Sequence, residues 1–374
     1  MKVISTDKTT FRLMAGDDLV VTDNLPVGTY EVQFSMRQGY WLTKRDNFAI
    51  GNKKVYGNQP ERIKKIFHNF NKRDSNLGVM LSGTKGMGKT LFSKMVAQEA
   101  IKEGIPVINV GNNYPGITDF LDSIKQEALV LIDEFEKRFP TDSDDSDSDG
   151  PTQNDFLTLL DGTASAKHLY VATVNKLQRI NEYLINRPGR FYYHFRFNYP
   201  SYEEVTALLN DAISDENKDK IPEVQRLTSS VSLNYDALLA IANEINEGYG
   251  VKDTISDLNI QADGNYEGYK AMVTFKNGET FAVKASNYND ESTMSVYGGG
   301  NQTPKKWSAN LELGKGTVKP DGTIVFLNNG RGITSAKYDD VGNSDGWDDT
   351  SENPITKVLL KRDVKDSYAF NQFY

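Results

Sequence analysis

The sequence predicts an α/β protein whose core is a parallel sheet with helices on both faces. From Leu77 onward, apolar runs alternate with helical segments: "LGVML" precedes "TLFSKMVAQEAIKEG", "PVINV" precedes "ITDFLDSI", "ALVLID" precedes "NDFLTLLDG", and "HLYVATV" closes the series. Strands that are apolar throughout are typical of a sheet buried on both faces. A glycine-rich segment separates the first strand from its helix, and β-type patterns flank the core on both sides.

The N-terminal part predicts a small β-rich domain over residues 1–54, because short strand patterns such as "GTYEVQFSM" and "GYWLTK" are separated by turn residues. At Pro60 the pattern becomes helical. The segment "PERIKKIFHNF" places four apolar residues at helical spacing, namely Ile63, Ile66, Phe67 and Phe70. We therefore begin the α/β core at residue 55 and end it at residue 200.

Two further regions follow the core. Residues 201–251 predict a helical lid, since Ser201 and Glu204 have the spacing of a capping box and "YDALLAIANEI" is amphipathic. Residues 252–374 predict a β-rich C-terminal domain. Its clearest hairpin is "AMVTFKNGETFAVKA", in which Asn277-Gly278 suits a type I′ turn.

Composition excludes several classes of protein. The 374 residues include no cysteine, which excludes disulfides. They include only three histidines, none at ligand spacing, which argues against a structural zinc site. No apolar run is long enough to span a bilayer, and the first residues lack the apolar stretch of a signal peptide. The net charge of −8 disfavours a broad face for duplex DNA. We expect a cytoplasmic protein with no membrane partner.

The glycine-rich segment carries the strongest chemical signal. "GTKGMGKT" matches the phosphate-loop pattern G-x-x-x-x-G-K-[ST], in which backbone N–H groups turn inward around a phosphate. The lysine supplies a charge to the β- and γ-phosphates, and the threonine hydroxyl binds Mg²⁺. The predicted nucleotide-binding residues are Gly83, Thr84, Lys85, Gly86, Met87, Gly88, Lys89 and Thr90.

Polar residues follow two other predicted core strands. Asp133 ends "ALVLID" and is placed to hold Mg²⁺, while Glu134 suits polarising a water for attack on the γ-phosphate. Asn175 ends "LYVATVN" and could reach between that water and the phosphate, although a strand-terminal asparagine that begins a turn is the commoner situation. The segment "INRPGRFYYHF" carries Arg187 and Arg190 around a Pro-Gly turn. Taken alone, that segment is better interpreted as a surface turn.

Together, in this order and spacing, the four segments resemble the AAA+ ATPases, and "NRPGRF" resembles the arginine-finger region of the narrower AAA group. The likeness covers residues 55 to 250 and is nearest to phage-encoded AAA ATPases. It implies that Asp133 and Glu134 form the second Walker motif and that Asn175 is the first sensor. It further implies that Arg187 and Arg190 act on nucleotide held by a neighbouring subunit.

The same resemblance implies ATP and Mg²⁺ as cofactors and a homo-oligomer, a hexameric ring or arc. "KVYGNQPERI" resembles the segment that wraps adenine, which assigns Val55, Tyr56 and Gly57 to the nucleotide. The location would be the host cytoplasm if the protein is phage-encoded. The chain departs from the family after the second core strand: "GNNYPG" offers only Tyr114 in place of an aromatic pore loop, and a surface turn is the preferred interpretation.

The acidic segment "DSDDSDSDG" after the second Walker motif begins like a calcium loop, but Phe156 stands where an EF-hand needs a glutamate. We interpret it as a solvated loop that the family would place near a ring axis. The leading hypothesis is an oligomeric ATPase that remodels a macromolecule, more plausibly a protein than a nucleic acid. A DNA-handling ATPase and a nucleotide-gated scaffold with slow hydrolysis remain as alternatives, and a small-molecule kinase is disfavoured.

Overall fold

The computed structural model describes most of the chain in segments, and its contacts divide the chain into two compact units, residues 1–198 and 199–374. The described residues are 2–5, 11–14, 22–51, 54–112, 114–141, 150–161, 166–185, 189–230, 233–258, 269–285, 293–299, 306–319, 322–328, 330–339 and 349–362. The acidic segment 142–149 and Arg187 lie outside these ranges.

The first unit is built on a seven-stranded sheet in the order β4-β3-β6-β7-β8-β5-β9, and all pairs except β3–β4 are parallel. Its strands are β3 (Thr29–Ser35), β4 (Gly39–Arg45), β5 (Leu77–Ser82), β6 (Val107–Val110), β7 (Ala128–Ile132), β8 (His168–Val174) and β9 (Phe191–Arg196). A separate antiparallel pair consists of β1 (Lys2–Ser5) and β2 (Phe11–Met14). Every residue of β5, β7 and β8 is buried, as the continuous apolar runs predict.

The helices of the first unit connect these strands. They are α1 (Gln59–Asn71), α2 (Lys89–Lys102), α3 (Ile117–Asp122), α4 (Phe135–Arg138), α5 (Gln153–Asp161) and α6 (Glu182–Ile185). The four apolar residues predicted for α1 are all buried. At the sheet edge, Gly78 permits the close approach of β9, because a Cβ there would lie 2.3 Å from the Arg190 carbonyl oxygen.

The β-rich N-terminal segment differs from the separate domain expected over residues 1–54. Strands β3 and β4 form a hairpin, but β3 also pairs in parallel with β6, so both strands extend the core sheet. The reason is the apolar side of β3: Tyr30 and Val32 are buried, and Val32 belongs to the same core as β6, β7 and β8. The sheet therefore continues across the boundary that local strand and turn patterns suggest.

The second unit begins with four α-helices and ends with β-strands. The helices are α7 (Tyr202–Ala212), α8 (Ile221–Ser230), α9 (Tyr235–Asn246) and α10 (Val251–Asp257). The Ser201–Glu204 capping box is present at the start of α7, which packs against α8 and α9. Across the described ranges of both units, no helix combines the length and the apolarity needed to cross a membrane.

Two antiparallel sheets complete the second unit, in the orders β11-β10-β17-β15-β14 and β12-β13-β16. Their strands are β10 (Tyr269–Phe275), β11 (Thr280–Ala285), β12 (Thr293–Gly298), β13 (Lys306–Glu312), β14 (Thr317–Val318), β15 (Ile324–Leu327), β16 (Ile333–Asp339) and β17 (Ile355–Arg362). Residues from both sheets share one apolar core, which includes the fully buried Trp307.

The hairpin between β10 and β11 is as predicted, but its turn is not type I′. That turn needs positive φ at both central residues, and only Gly278 has it, at +90°. The loop consists of three residues, 276–278. It is closed by a hydrogen bond from the Phe275 N–H to the Glu279 carbonyl oxygen. A glycine in the left-handed region at the end of a three-residue loop is the alternative way to close a hairpin.

Candidate nucleotide site

The candidate site lies where three neighbouring parallel strands end. Strands β5, β7 and β8 are hydrogen-bonded in the order β7-β8-β5, so their carboxyl ends share one edge of the sheet. The phosphate-loop pattern follows β5, Asp133 and Glu134 follow β7, and Asn175 follows β8. This edge is where open α/β sheets place their ligands.

The glycines of the loop are present because its backbone requires them. Gly86 and Gly88 have φ of +78° and +88°, in the left-handed region that other residues rarely adopt. Gly83 has φ of +148°, and its N–H donates to the Val174 carbonyl at 3.1 Å. A Cβ on Gly83 would lie 2.3 Å from the Phe197 carbonyl oxygen. The loop therefore has a fixed path directly before α2.

Lys89 is the buried cation of the site. Lys89 is only 5% exposed. Its Nζ donates to the carbonyl oxygens of Gly83 and Thr84 at 2.5 and 2.7 Å. Burial lowers the pKa of Lys89, and the carboxylates of Glu136, Asp133 and Glu134 act in the opposite direction. The ammonium thus folds back on its own loop, where an incoming phosphate can replace the two carbonyls.

Thr173 joins the two acidic residues at the end of β7. Its hydroxyl donates to Asp133 Oδ1 at 2.5 Å and accepts the Glu134 N–H at 2.9 Å. Thr173 is 2% exposed, so its hydroxyl is shielded from water. One buried hydroxyl therefore fixes the Asp133 carboxylate and the Glu134 backbone together. No sequence motif indicated Thr173, although it lies two residues before Asn175.

Glu134 is held in a strained backbone and by three side chains. It has φ of +52°, the only positive φ of a non-glycine residue in the described ranges. Its Oε1 accepts from Asn175 Nδ2 at 3.1 Å and lies 3.8 Å from Lys85 Nζ, and its Oε2 accepts from Lys137 Nζ at 2.7 Å. The hydrogen bond from Lys137 is the main cause that lowers the pKa of Glu134. Strain of this kind is typical of functional sites.

Glu136 is a second residue that motif reasoning missed. It is 4% exposed, and its Oε1 accepts the Asn175 N–H at 3.0 Å, while its Oε2 has no hydrogen-bond partner among the described residues. Glu136 therefore positions the backbone of Asn175, whose amide in turn holds Glu134. The signal in the sequence is a third acid within "DEFEK", placed two residues after Glu134.

Arg138 also belongs to this end of the sheet. Its Nε donates to the Asp133 carbonyl at 2.8 Å, and its guanidinium also bonds the Gly111 carbonyl that follows β6. The turn after β7 is thus tied to the neighbouring strand end. Arg138 has a backbone-binding role that no sequence motif indicated.

Arg190, one of the two predicted fingers, is engaged within its own chain. Its guanidinium makes a two-pronged ion pair with Asp161, with Nε and NH2 each 2.7 to 3.0 Å from carboxylate oxygens, and NH1 donates to the Tyr183 carbonyl at 3.0 Å. The Asp161 hydrogen bond raises the pKa of Arg190 further. The described residues do not bring Arg190 to the phosphate loop, and Arg187 lies outside them.

The residues expected around adenine precede α1. Val55 and Tyr56 are half-buried, Gly57 is exposed with φ of +78°, and the Lys54 ammonium lies 6.0 Å from the centre of the Tyr56 ring. Val55 and Tyr56 thus keep part of their apolar surface available, but their contact with a base stays a prediction.

Tyr114 takes the surface position that the sequence analysis preferred. Its ring stacks on Phe34 with centroids 4.6 Å apart, and its carbonyl accepts the Tyr40 hydroxyl at 2.5 Å. Although the residue is 41% exposed, the ring is anchored to the β3–β4 hairpin.

The donor set fits ATP with Mg²⁺. Lys89 offers a cation to phosphates beside the glycine-rich loop, and the exposed Thr90 and Asp133 offer a hydroxyl and a carboxylate. Magnesium usually takes only one or two protein ligands beside phosphate oxygens and water. No cluster of three metal-binding side chains occurs in the part of the chain that the structure describes.

The part of the chain around this site matches a known protein family. Residues 79–199 match the model of the family described as "ATPase family associated with various cellular activities (AAA)". These residues form an AAA ATPase domain. The α/β fold with its largely parallel sheet, expected from the apolar runs, is thereby confirmed for this part of the chain.

The similar proteins are much longer than this chain. An ATP-dependent zinc metalloprotease FtsH of Mycoplasma genitalium is 29% identical over 202 residues, covering 49% of this chain and 28% of the relative. An ATP-dependent zinc metalloprotease FtsH 2 of Phytoplasma mali is 30% identical over 192 residues, covering 45% of this chain and 28% of the relative. A putative cell division cycle ATPase of Plasmodium falciparum is 24% identical over 252 residues, covering 63% of this chain and 20% of the relative. The chain thus spans less than a third of each of these relatives.

Proposed function

We propose that the AAA domain hydrolyses ATP with Glu134 as the residue that polarises the attacking water. The observation that carries this proposal is the link between adjacent strand ends, in which the Asn175 amide donates to the Glu134 carboxylate at 3.1 Å. A carboxylate oriented by a neighbouring amide, beside a phosphate loop, suits in-line attack of water on a γ-phosphate.

The chain's own residues divide the remaining work. Lys89 leaves the carbonyls of Gly83 and Thr84 and neutralises phosphate charge, while loop N–H groups hold the phosphates. Thr90 and Asp133 would hold Mg²⁺, which, when bound, withdraws charge from the phosphate oxygens. Before attack, Glu134 must release an oxygen from Lys137, because an ion-paired carboxylate is a weaker proton acceptor.

We further propose that the active form is a homo-oligomer, a hexameric ring, with Arg187 and Arg190 of one subunit completing the site of the next. The intrachain pair between Arg190 and Asp161 supports a switch in which Arg190 exchanges a carboxylate for phosphate oxygens. Such an exchange conserves the two-pronged geometry that guanidinium prefers. Arg187, placed three residues earlier in "NRPGRF", has the same proposed role.

The substrate that fits best is a protein. Several relatives are named ATP-dependent zinc metalloproteases, which are enzymes that act on proteins. The net charge of −8 also makes a nucleic-acid strand an unfavourable partner. The placement in the phage-encoded subgroup, the cytoplasmic location and the remodelling of a protein partner stay predictions.

The test is nucleotide binding measured separately from turnover. Glu134→Gln should bind ATP like the wild type and lose hydrolysis, whereas Lys89→Ala should lose binding. Glu103→Gln, at an exposed position after α2, is the matched control and should change neither. Hydrolysis at the wild-type rate by Glu134→Gln would refute the assignment of the base. Turnover stimulated by single- or double-stranded DNA would favour a DNA-handling role instead.

A further inference from the structure

The phosphate loop carries a second lysine, Lys85, whose side chain has no role in the loop pattern. Lys85 is the third residue of the loop, a position that the pattern leaves open, and the cation that the pattern requires is Lys89. The two lysines differ in their surroundings. Lys89 is buried, whereas the side chain of Lys85 is 75% exposed. The Lys85 side chain can therefore move without disturbing the core.

The Lys85 ammonium lies beside the proposed base. Its Nζ is 3.8 Å from Glu134 Oε1, the same oxygen that accepts from the Asn175 amide. This separation allows an ion pair but is too long for a hydrogen bond. The Lys137 ammonium, in contrast, lies 2.7 Å from the other carboxylate oxygen. Exposed ion pairs are weak, so the pair between Lys85 and Glu134 is easily exchanged for a stronger one.

The loop backbone fixes the point from which the Lys85 side chain extends. Gly86 follows directly with φ of +78°, and Gly83, two residues earlier, donates its N–H to the Val174 carbonyl at 3.1 Å. The charge itself can move, because the lysine ammonium is carried on a flexible four-carbon stem. The ammonium thus swings about a fixed point at the edge of the phosphate site.

The γ-phosphate of a bound ATP would lie close to this ammonium. A base lies about 2.6–3.2 Å from the water that it polarises, and that water lies about 3–3.5 Å from the atom that it attacks. The γ-phosphorus would then be no more than about 7 Å from a Glu134 carboxylate oxygen. Because Lys85 belongs to the loop that would hold the phosphates, rotation of its side chain carries the ammonium from the carboxylate towards the γ-phosphate.

We propose that the Lys85 ammonium moves from Glu134 to the γ-phosphate when ATP binds, which makes Lys85 a catalytic residue supplied by the same subunit. This inference rests on the proposed ATP hydrolysis. A γ-phosphate carries more negative charge than one carboxylate, so it is the stronger partner for an ammonium.

The exchange has two chemical consequences. The Glu134 carboxylate loses a neighbouring cation and becomes a better proton acceptor for the attacking water. The γ-phosphate gains a cation that stabilises negative charge during transfer. The movement of one side chain thus couples the arrival of ATP to the readiness of the base.

The experiment compares nucleotides with and without a γ-phosphate. Calorimetric titrations of the full chain use ADP and AMP-PNP, a triphosphate that resists hydrolysis, both with Mg²⁺. The test variant is Lys85→Met, also made in the Arg187→Ala Arg190→Ala background so that neither predicted finger contributes. The matched control is Lys102→Met, because Lys102 is 71% exposed and pairs with Glu99 at 2.9 Å in the last turn of α2.

We expect Lys85→Met to bind AMP-PNP about tenfold more weakly than its parent and to bind ADP equally well, as for the loss of one charged hydrogen bond to the γ-phosphate. This difference should persist in the background without the arginines. The kcat of the single variant should fall by about tenfold or more, since a donor aimed at developing charge acts mainly in the transition state. Lys85→Arg keeps the charge and should recover most of both losses, and Lys102→Met should change neither.

Two results would overturn the inference. Equal weakening of ADP and AMP-PNP binding would make Lys85 a structural residue of the loop, and unchanged AMP-PNP affinity would show that its ammonium does not contact the γ-phosphate. Failure of the proposed hydrolysis has a different sign, namely wild-type turnover by Glu134→Gln. If Lys85→Met does not fold, Lys85→Gln replaces it with the same expected directions.

Discussion

The most informative single substitution is Thr173→Val, because it removes one hydroxyl while keeping nearly the same side-chain volume. That hydroxyl makes the bonds to Asp133 and to the Glu134 N–H, and it is 2% exposed. Asp133 is exposed, so water can replace the bond that its carboxylate loses. The Glu134 N–H has less access to water, and an unsatisfied buried donor costs about 1–3 kcal/mol.

We therefore expect the unfolding free energy to fall by about 2 kcal/mol. The effect on catalysis should be larger, because the bond to the N–H helps hold Glu134 at φ of +52°, and such a conformation is worth about 1–3 kcal/mol of strain. Once the backbone relaxes, the Glu134 carboxylate moves. A displacement of about 1 Å can reduce the rate by about 100-fold.

Steady-state ATPase assays, ATP-binding titrations and urea unfolding would measure these effects. The kcat of Thr173→Val should fall by about 100-fold, with ATP affinity little changed because the phosphate loop is untouched. Thr173→Ser keeps the hydroxyl and should retain most of the activity. If Thr173→Val turns over like the wild type, or if Thr173→Ser loses as much activity as Thr173→Val, the bridging role is refuted.

Three further predictions concern single residues. Lys137→Met should raise the pKa of Glu134 towards its ordinary value, so the acidic limb of the kcat/KM pH profile should move to higher pH. Burial lowers the pKa of His194 to about 4, so stability should be fully present above about pH 6.5 and be lost progressively as the pH falls towards about 4; His194→Gln should weaken that pH dependence in urea unfolding. Gly83→Ala should abolish ATP binding in titrations, because its Cβ would clash with the Phe197 carbonyl oxygen.

Each of these three predictions has a result that would contradict it, and the first also has a control variant. Lys102→Met removes a lysine paired with Glu99 at the same helical spacing, and it should leave the pH profile unchanged. An unshifted profile in Lys137→Met would show that the ion pair does not control the base. A pH dependence that is unchanged in His194→Gln would assign the acid sensitivity to other groups. Wild-type ATP affinity in Gly83→Ala would mean that the loop can change its path.

The core of the fold could be predicted from the sequence because its signals are local. Continuous apolar runs define β5, β7 and β8, whose residues are all buried, and the phosphate loop follows a spacing that its backbone requires. Strand partnership is not local. The pairing of β3 with β6 depends on a shared core that forms only after folding, so the patterns of residues 1–54 suggested a separate domain.

The site shows the same division. Asp133, Glu134 and Asn175 could be selected because each follows an apolar strand pattern and because the order of the segments resembles that of the AAA+ ATPases. Thr173 and Glu136 could not, since a buried hydroxyl and a buried carboxylate look like ordinary strand and helix residues until their partners are known. The hairpin turn at Gly278 likewise depended on a backbone angle that an Asn-Gly pair allows but does not dictate.

The most direct test of the central proposal mixes two inactive subunits. Glu134→Gln keeps both arginines, and Arg187→Ala Arg190→Ala keeps the base, so a mixed oligomer contains some interfaces with both. At equal amounts, random assembly should restore roughly a quarter of the wild-type turnover per site, since each such interface needs one subunit of each kind in the right order. No recovery, with both variants folded, assembled and binding ATP, would contradict hydrolysis at shared interfaces.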